Sequence, residues 1–248
     1  MGGVRWGAGM LALFGGIVFL ASFVQGVSGF AFGMIVLIVL PYLFSYTTAL
    51  ALTSMMTVVL LLYNSFLYRK YCAWKWIPLG LAAFAGGDIC GVLVLRAVGD
   101  APVWYILMGI MLIFMAAYLW WGQKRVTFTA TNRNWVIFAC TSGFVVGAFI
   151  VGLPILATFF LQATKSKEEY LGTMQMFSLF TVGFDTIVRV ANGMVTAEVL
   201  TFTAISLVFI IAGLLVAHYL VQKMNADMLR KVVCVVMAVN GVIMFFHQ

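Results

Sequence analysis

Charged residues are scarce in this sequence: only 8% of its 248 residues are Asp, Glu, Lys or Arg, against roughly 25% in an ordinary soluble domain. Apolar residues make up 65% of the chain, and the mean hydropathy is +1.12. A soluble core of this size cannot enclose so much apolar side chain, so a water-soluble globular protein is excluded. The 15% aromatic content excludes a disordered chain, because disordered segments are poor in aromatics. The composition predicts an integral membrane protein surrounded by the lipid bilayer.

Histidine is nearly absent as well, with only His218 and His247. The four cysteines show no Cys-x-x-Cys spacing, which favours buried apolar thiols over disulfides or metal ligands. The sequence has no zinc-protease, nucleophile-elbow, haem or nucleotide-binding signature. We therefore expect no enzyme, no metal and no cofactor. The net charge of +7 is spread over short loops, so nucleic acid is not an expected partner either.

Ten apolar runs can be read as membrane segments, five on each side of the polar stretch 123–134. This pattern predicts an all-α polytopic membrane protein with about eight to ten transmembrane helices. We expect a first membrane repeat over 1–122, a polar cytoplasmic linker over 123–134 and a second membrane repeat over 135–248. The runs cover roughly 8–25, 26–44, 46–68, 77–99, 102–122, 135–151, 152–164, 169–192, 198–221 and 228–246.

The distribution of basic residues predicts an orientation. If the chain changes side at every segment, one side receives Arg5, Arg96 and Arg189, and the other receives the remaining 11 of the 14 Lys and Arg. Because cytoplasmic loops carry the excess of Lys and Arg, the richer side is cytoplasmic and both termini lie outside. The loops predicted to be cytoplasmic hold residues 69–75, 124–133, 165–167 and 223–231.

An odd number of segments in each half predicts that the two halves sit in the bilayer with opposite orientations. The halves resemble each other weakly: Gly29 and Gly147 stand 118 residues apart, and Asp100 and Asp227 precede the last segment of each half. Such self-similarity is typical of transporters built from inverted repeats.

The first two segments of each half are short and interrupted by glycine or proline; residues 135–164 provide 30 residues for two segments, where two full spans need about 40. Interrupted segments in corresponding places are the best sequence indication of a transporter binding site. Helices that restart there would direct backbone N–H groups and a positive dipole end at a small anion. The alternative is close helix packing through small residues. The candidate residues at the two breaks are Gln25, Ser28, Gly29, Gly33, Thr141, Ser142, Gly147, Gly152 and Pro154.

Polar residues inside the third segment of each half are further candidates for lining the site. They are Thr53, Ser54 and Asn64 in the first half and Thr173 and Gln175 in the second. The alternative for the hydroxyls is a hydrogen bond back to their own helix.

Three charged residues lie inside apolar runs, where insertion scales put the cost at about 2.5–3.5 kcal/mol each. Asp185 and Arg189 are four residues apart and share a helix face. They form either a self-neutralising pair or an anion-binding arginine with an acid that tunes it. Asp88 is either a polar packing contact or a protonatable group that couples transport to H⁺. Six tryptophans at segment ends, among them Trp76 and Trp135, are predicted to anchor the protein at the membrane surface.

Several motifs are spread along nearly the whole chain. They are the first glycine run with its following proline, Leu52-Thr53-Ser54, Tyr68-Arg69-Lys70 with a Trp-containing turn before Gly80, the run 147–154, Lys165-Ser166-Lys167-Glu168-Glu169, and Thr173. Together they resemble the sulfite exporter TauE/SafE family. The resemblance implies a secondary transporter of small sulfur oxoanions or organosulfonates, of the sulfite, sulfoacetate or thiosulfate type, in a bacterial or archaeal inner membrane. Alternating access and export are the expected mechanism and direction, and an anion channel or a transporter of another small organic anion is the alternative.

Overall fold

The computed structural model describes residues 8–98, 129–149, 152–191 and 193–223, together with isolated positions between 110 and 121 and between 231 and 242. The described residues form eight α-helices and no strand. Apart from those isolated positions, the predicted last segments of each half, 102–122 and 228–246, lie outside them, as does the first half of the predicted linker, 123–128. The helices are α1 (Ala8–Ser28), α2 (Phe32–Leu43), α3 (Tyr46–Tyr68), α4 (Ile77–Val98), α5 (Asn132–Phe149), α6 (Leu153–Ala163), α7 (Lys167–Ala191) and α8 (Ala197–Lys223).

Five of the described helices are long and apolar enough to cross a membrane: α1, α3, α4, α7 and α8. By contrast, α2 has 12 residues and α6 has 11, well short of the roughly 20 that a span needs. The expected all-α polytopic membrane architecture is confirmed. Of the two segments expected to be short in each half, the helix too short to span is the second one. The first helix α1, with 21 residues, is long enough to span.

The helix boundaries repeat along the chain. The pairs α2 and α6, and α3 and α7, each start 121 residues apart, and α1 and α5 also end 121 residues apart. This spacing pairs Gly147 with Gly26 and not with Gly29. The repeat found in the helix boundaries is therefore clearer than the one in the glycines.

The packing of the described helices has the same symmetry. The first helix of each half packs on the fourth helix of the other half, which gives the pairs α1–α8 and α5–α4. The third helices, α3 and α7, pack on each other. Gly172 near the start of α7 lies against the backbone of Tyr68 and Cys72 at the end of α3, so these equivalent helices run antiparallel.

Glycine allows the backbones of α4 and α5 to touch. A methyl group on Gly87 would overlap the carbonyl oxygen of Cys140, and one on Gly147 would overlap the carbonyl oxygen of Asp88. Gly26 on α1 packs against the side chain of Ala217 on α8, where an added methyl group would overlap its Cβ. These glycines follow the small-residue packing mode of membrane helices.

Two of the predicted anchor tryptophans are core residues. Trp135 at the start of α5 is fully buried, and its indole N–H donates to the carbonyl oxygen of Trp76 at 2.8 Å. Its ring contacts Phe159, Phe160 and Phe177. The predicted surface role is therefore wrong for Trp76 and Trp135, which join α4, α5, α6 and α7.

Candidate functional site

The break between α1 and α2 is held by Gln25. Its side-chain Nε2 donates to the carbonyl oxygen of Gly29 at 2.9 Å, and its Oε1 accepts from the backbone N–H of Phe32 at 2.9 Å. The Ser28 hydroxyl accepts a long hydrogen bond, 3.4 Å, from the N–H of Phe30. A single buried amide thus binds the backbone on both sides of the break and satisfies the first N–H of α2.

Helix α7 contacts this break directly. The hydroxyl of Tyr170 donates to the carbonyl oxygen of Ser28 at 2.9 Å. Gly29 has a φ of 90°, in the left-handed region that glycine enters without steric cost. A methyl group there would lie 3.2 Å from Cγ of Met174. Both the conformation and the neighbour therefore favour glycine at position 29.

The second break, between α5 and α6, is also stabilised by a side chain of the preceding helix. The buried Ser142 hydroxyl donates to the carbonyl oxygen of Gly152 at 2.8 Å, and Gly152 packs against the backbone of Ser142 and Val146. The buried Pro154 follows in the first turn of α6, where its missing N–H costs no helical hydrogen bond.

Both short helices are shorter than the hydrocarbon core of a bilayer is thick. Helix α2 leads through Phe44 and Ser45 into α3, so its start lies roughly 18 Å from the end at which α3 begins. Likewise, the start of α6 lies about 16 Å from the end at which α7 begins. Since α3 and α7 run antiparallel, α2 and α6 would enter a hydrocarbon core about 30 Å thick from opposite sides where α3 and α7 cross it.

Most hydroxyls of α3 bond back to their own helix. Thr53 donates to the carbonyl oxygen of Ala49 and Ser54 to that of Leu50, at 2.7 and 2.9 Å. In α7, Thr173 donates to Glu169 and accepts the N–H of Ala73 at 2.9 Å. Thr53 also lies 3.8 Å from the point where Gly33 would carry a methyl group.

Four buried polar side chains at the α3–α7 contact have atoms without a hydrogen-bond partner among the described residues. These atoms are Asn64 Nδ2, Ser65 Oγ, Gln175 Nε2 and Ser178 Oγ. Tyr68 lies opposite Gly172, and α3 and α7 are antiparallel. Asn64 and Ser65 lie about one turn before Tyr68 on α3, and Gln175 lies about one turn after Gly172 on α7. These three residues are therefore at the same level of the helix pair. We call Asn64, Ser65, Gln175 and Ser178 the polar cluster. Gln25 joins it, with its Nε2 3.4 Å from Gln175 Oε1.

The family model of the sulfite exporter TauE/SafE matches residues 14–244, which is nearly the whole chain. The chain belongs to the TauE/SafE family. It is therefore a multi-pass membrane protein of a transporter family. No curated protein matches the chain, and no solved structure matches it.

In this TauE/SafE protein, the charges inside the membrane helices form a second group. Asp185 on α7 interacts electrostatically with Asp88 on α4 and with Arg189 on its own helix. Arg189 Nε is buried without a hydrogen-bond partner in the described part of the chain. Arg189 follows Gln175 by 14 residues, or roughly 21 Å along α7, so this charged group is separate from the polar cluster.

The TauE/SafE structure divides the predicted site residues into sets. Gln25, Ser28 and Gly29 meet α7 at the first break, and Asn64 and Gln175 belong to the polar cluster. Ser142, Gly152 and Pro154 form the second break. Thr141 lies on the exposed side of α5, and Gly147 packs on α4, so neither joins the polar cluster. Ser65 and Ser178 were not predicted.

The chemistry of the polar cluster is that of hydrogen bonding to a ligand. Amides and hydroxyls donate to anion oxygens, and a buried donor without a partner costs about 1–3 kcal/mol. No group of His, Cys, Asp and Glu suitable for a metal ion occurs among the described residues. Burial raises the pKa of the Cys72 thiol, beside the cluster at the end of α3, to about 11, although its hydrogen bond with Thr173 lowers it. This thiol is therefore protonated at neutral pH and is a poor nucleophile.

Proposed function

We propose that this protein is a secondary transporter that moves small sulfur oxoanions or organosulfonates, of the sulfite, sulfoacetate or thiosulfate type, across the inner membrane. The family membership supports transport of an anion. The observation that carries the site is the set of unpartnered buried donors in the polar cluster, which Gln25 links to the start of α2. Oxygen-rich anions supply the acceptors that these donors lack.

The helix starts supply electrostatic stabilisation without a lysine or arginine. Each helix N-terminus carries about half a positive elementary charge, and α2 and α6 enter the interior from opposite sides. Two such ends favour a small anion between them. The anion would lie between the two breaks, with the polar cluster as one wall.

Alternating access is the proposed mechanism, and the packing of the described helices supports it. The first helix of each proposed repeat packs on the fourth helix of the other, and the third helices, α3 and α7, pack on each other. Rocking of one set of helices against the other would expose the central site first to the cytoplasm and then to the outside, which is the motion that inverted repeats permit. Export is the proposed direction.

Thermal-shift titration of the purified protein tests the substrate class. We expect sulfite, thiosulfate, sulfoacetate or isethionate to raise the melting temperature in a saturable manner, since a ligand that binds only the folded state stabilises it. Sulfate and small carboxylates test the range of anions, and neutral analogues of matched size serve as controls. Stabilisation by carboxylates alone would point to the alternative organic-anion transporter. If no anion stabilised the protein, the proposed function would be wrong.

Coupling to H⁺ is proposed through Asp88 and Asp185, which interact across α4 and α7. We expect an imposed pH gradient to drive uptake of a bound anion into proteoliposomes by the wild type. Asp88→Asn removes the proton-binding group. It should abolish uptake driven by the pH gradient and leave the affinity for the anion unchanged. Glu198→Gln, at an exposed position at the start of α8, is the matched acid-to-amide control. An unchanged pH response in Asp88→Asn would contradict coupling at this residue.

A further inference from the structure

The orientation of the Gln25 amide is fixed by the backbone. A backbone N–H can only donate and a carbonyl oxygen can only accept. The N–H of Phe32 therefore requires Gln25 Oε1, and the carbonyl oxygen of Gly29 requires Gln25 Nε2, both at 2.9 Å. Exchanging the two ends of this amide would break both hydrogen bonds, so its donor and acceptor are determined.

This fixed amide determines the orientation of Gln175. Gln25 presents its Nε2 to Gln175 Oε1 at 3.4 Å, and only an acceptor is favourable in that position. The oxygen of Gln175 is thus used inside the protein, and its Nε2 remains a donor without a partner among the described residues. The whole side chain is 0% exposed, so water does not satisfy this donor from the bulk.

The other members of the polar cluster carry no charge. Ser178 lies one turn further along α7, and Asn64 and Ser65 face this level from α3; each is at most 4% exposed. The nearest basic residue along α7 is Lys167, eight residues before Gln175, or roughly 12 Å along the axis. Arg69 and Lys70 follow the end of α3, but their side chains are exposed, whereas Gln175 is 0% exposed. A ligand at Gln175 would therefore meet neutral donors.

We propose that Gln175 Nε2 is the specificity-determining donor for an oxygen of the transported anion, and that Gln25 is the positioning residue that fixes the Gln175 amide with Nε2 as its free donor. The inference rests on the proposed function and deepens it. The site would recognise oxoanions and sulfonates through neutral, oriented hydrogen-bond donors and not through a cationic side chain. A fixed N–H donor donates to an anion oxygen and has no favourable contact with a group that can only donate.

Isothermal titration with isethionate and thiosulfate tests this role, because neither anion changes its charge between mildly acidic and mildly basic pH. Gln175→Leu keeps the volume and removes the donor, and we expect binding to weaken about tenfold to a hundredfold. Gln175→Glu should bind when its carboxyl group is protonated and can donate, and should lose binding as the pH rises. Gln222→Leu and Gln222→Glu, at an exposed position of α8 that bonds to His218, are the matched controls and should bind like the wild type.

A double-mutant cycle tests the positioning role. Gln25→Leu should weaken binding because the amide of Gln175 loses its fixed orientation. If Gln25 acts through Gln175, the double variant Gln25→Leu/Gln175→Leu binds no more weakly than Gln175→Leu alone, whereas independent effects would add. The melting temperature without ligand identifies any variant that fails to fold, and the pH response of Gln175→Glu then decides the role of the donor.

The possible failures are distinguishable. If the wild type binds none of the anions, the proposed function falls and this inference falls with it. If the wild type binds but Gln175→Leu binds equally well, or Gln175→Glu shows the same pH response as Gln222→Glu, only the role of Gln175 is overturned. Additive effects in the cycle would overturn the role of Gln25.

Discussion

At the scale of single residues, Gly29 is the position with the narrowest conformational choice in the candidate site. Its φ of 90° is costly for any residue with a Cβ atom, and a new methyl group would press on Met174. We expect Gly29→Ala to lower the free energy of unfolding by about 1–3 kcal/mol, seen as a lower melting temperature in detergent. Gly16→Ala, at an exposed helical position with no atom within 4 Å of the added methyl group, should match or slightly exceed the wild type. Equal melting temperatures for both variants would contradict the proposed strain.

The site could be predicted in part at this scale. Gln25 and Gln175 stand out in sequence because a buried amide requires partners, and the structure brings the two together. Ser65 and Ser178 do not stand out, since serine in a membrane helix usually bonds back to the preceding turn. Only the observation that both are buried without an acceptor distinguishes them, and this depends on packing that no local pattern encodes.

At the scale of helices, the contact between α4 and α5 depends on glycine. Gly86 and Gly87 are neighbours, but a methyl group on Gly87 would overlap the backbone of α5, whereas one on Gly86 has no atom within 4 Å. We expect Gly87→Ala to separate the two helices and to reduce both the folded yield and the melting temperature, because backbone cannot move aside as a side chain can. Gly86→Ala should behave like the wild type. The measurement is size-exclusion chromatography and thermal unfolding of both variants.

The two possible roles of glycine could not be separated from sequence at this scale. Gly29 serves a break in the chain and Gly147 serves close packing, yet both lie in similar glycine-rich runs. The helix boundaries show the internal repeat more clearly than the glycine positions do, because the interruptions in the chain set those boundaries. Pairing of α1 with α8 and of α4 with α5 joins residues far apart in the chain, and a single sequence gives no local signal for such contacts.

At the scale of the whole molecule, the proposed orientation puts the linker around Arg125 in the cytoplasm and the connection between α7 and α8 outside. In a background without the native cysteines, we expect Ala197→Cys, at the exposed first position of α8, to react with a membrane-impermeant maleimide on intact cells. Arg125→Cys should react only after the cells are permeabilised. Removing the native cysteines leaves the introduced thiol as the one that reacts. Cys90 and Cys140 are exposed on α4 and α5 and Cys72 is half-buried, so the expectation of buried thiols is confirmed for Cys234 alone. Labelling of Arg125→Cys on intact cells would reverse the orientation.

The pairing of α1 with α8 also has a consequence for synthesis. Helix α8 begins 189 residues after α1 begins, and at about 5–20 residues per second the ribosome needs roughly 10–40 s to make this stretch. Throughout this time the face of α1 that α8 will cover, with its glycine at position 26, is inserted without its partner. The first half must therefore remain unpaired in the bilayer, or bound to an assisting factor, until the second half has been synthesised and inserted. A chain stopped at the linker would leave α1 and α4 without the two helices on which they pack.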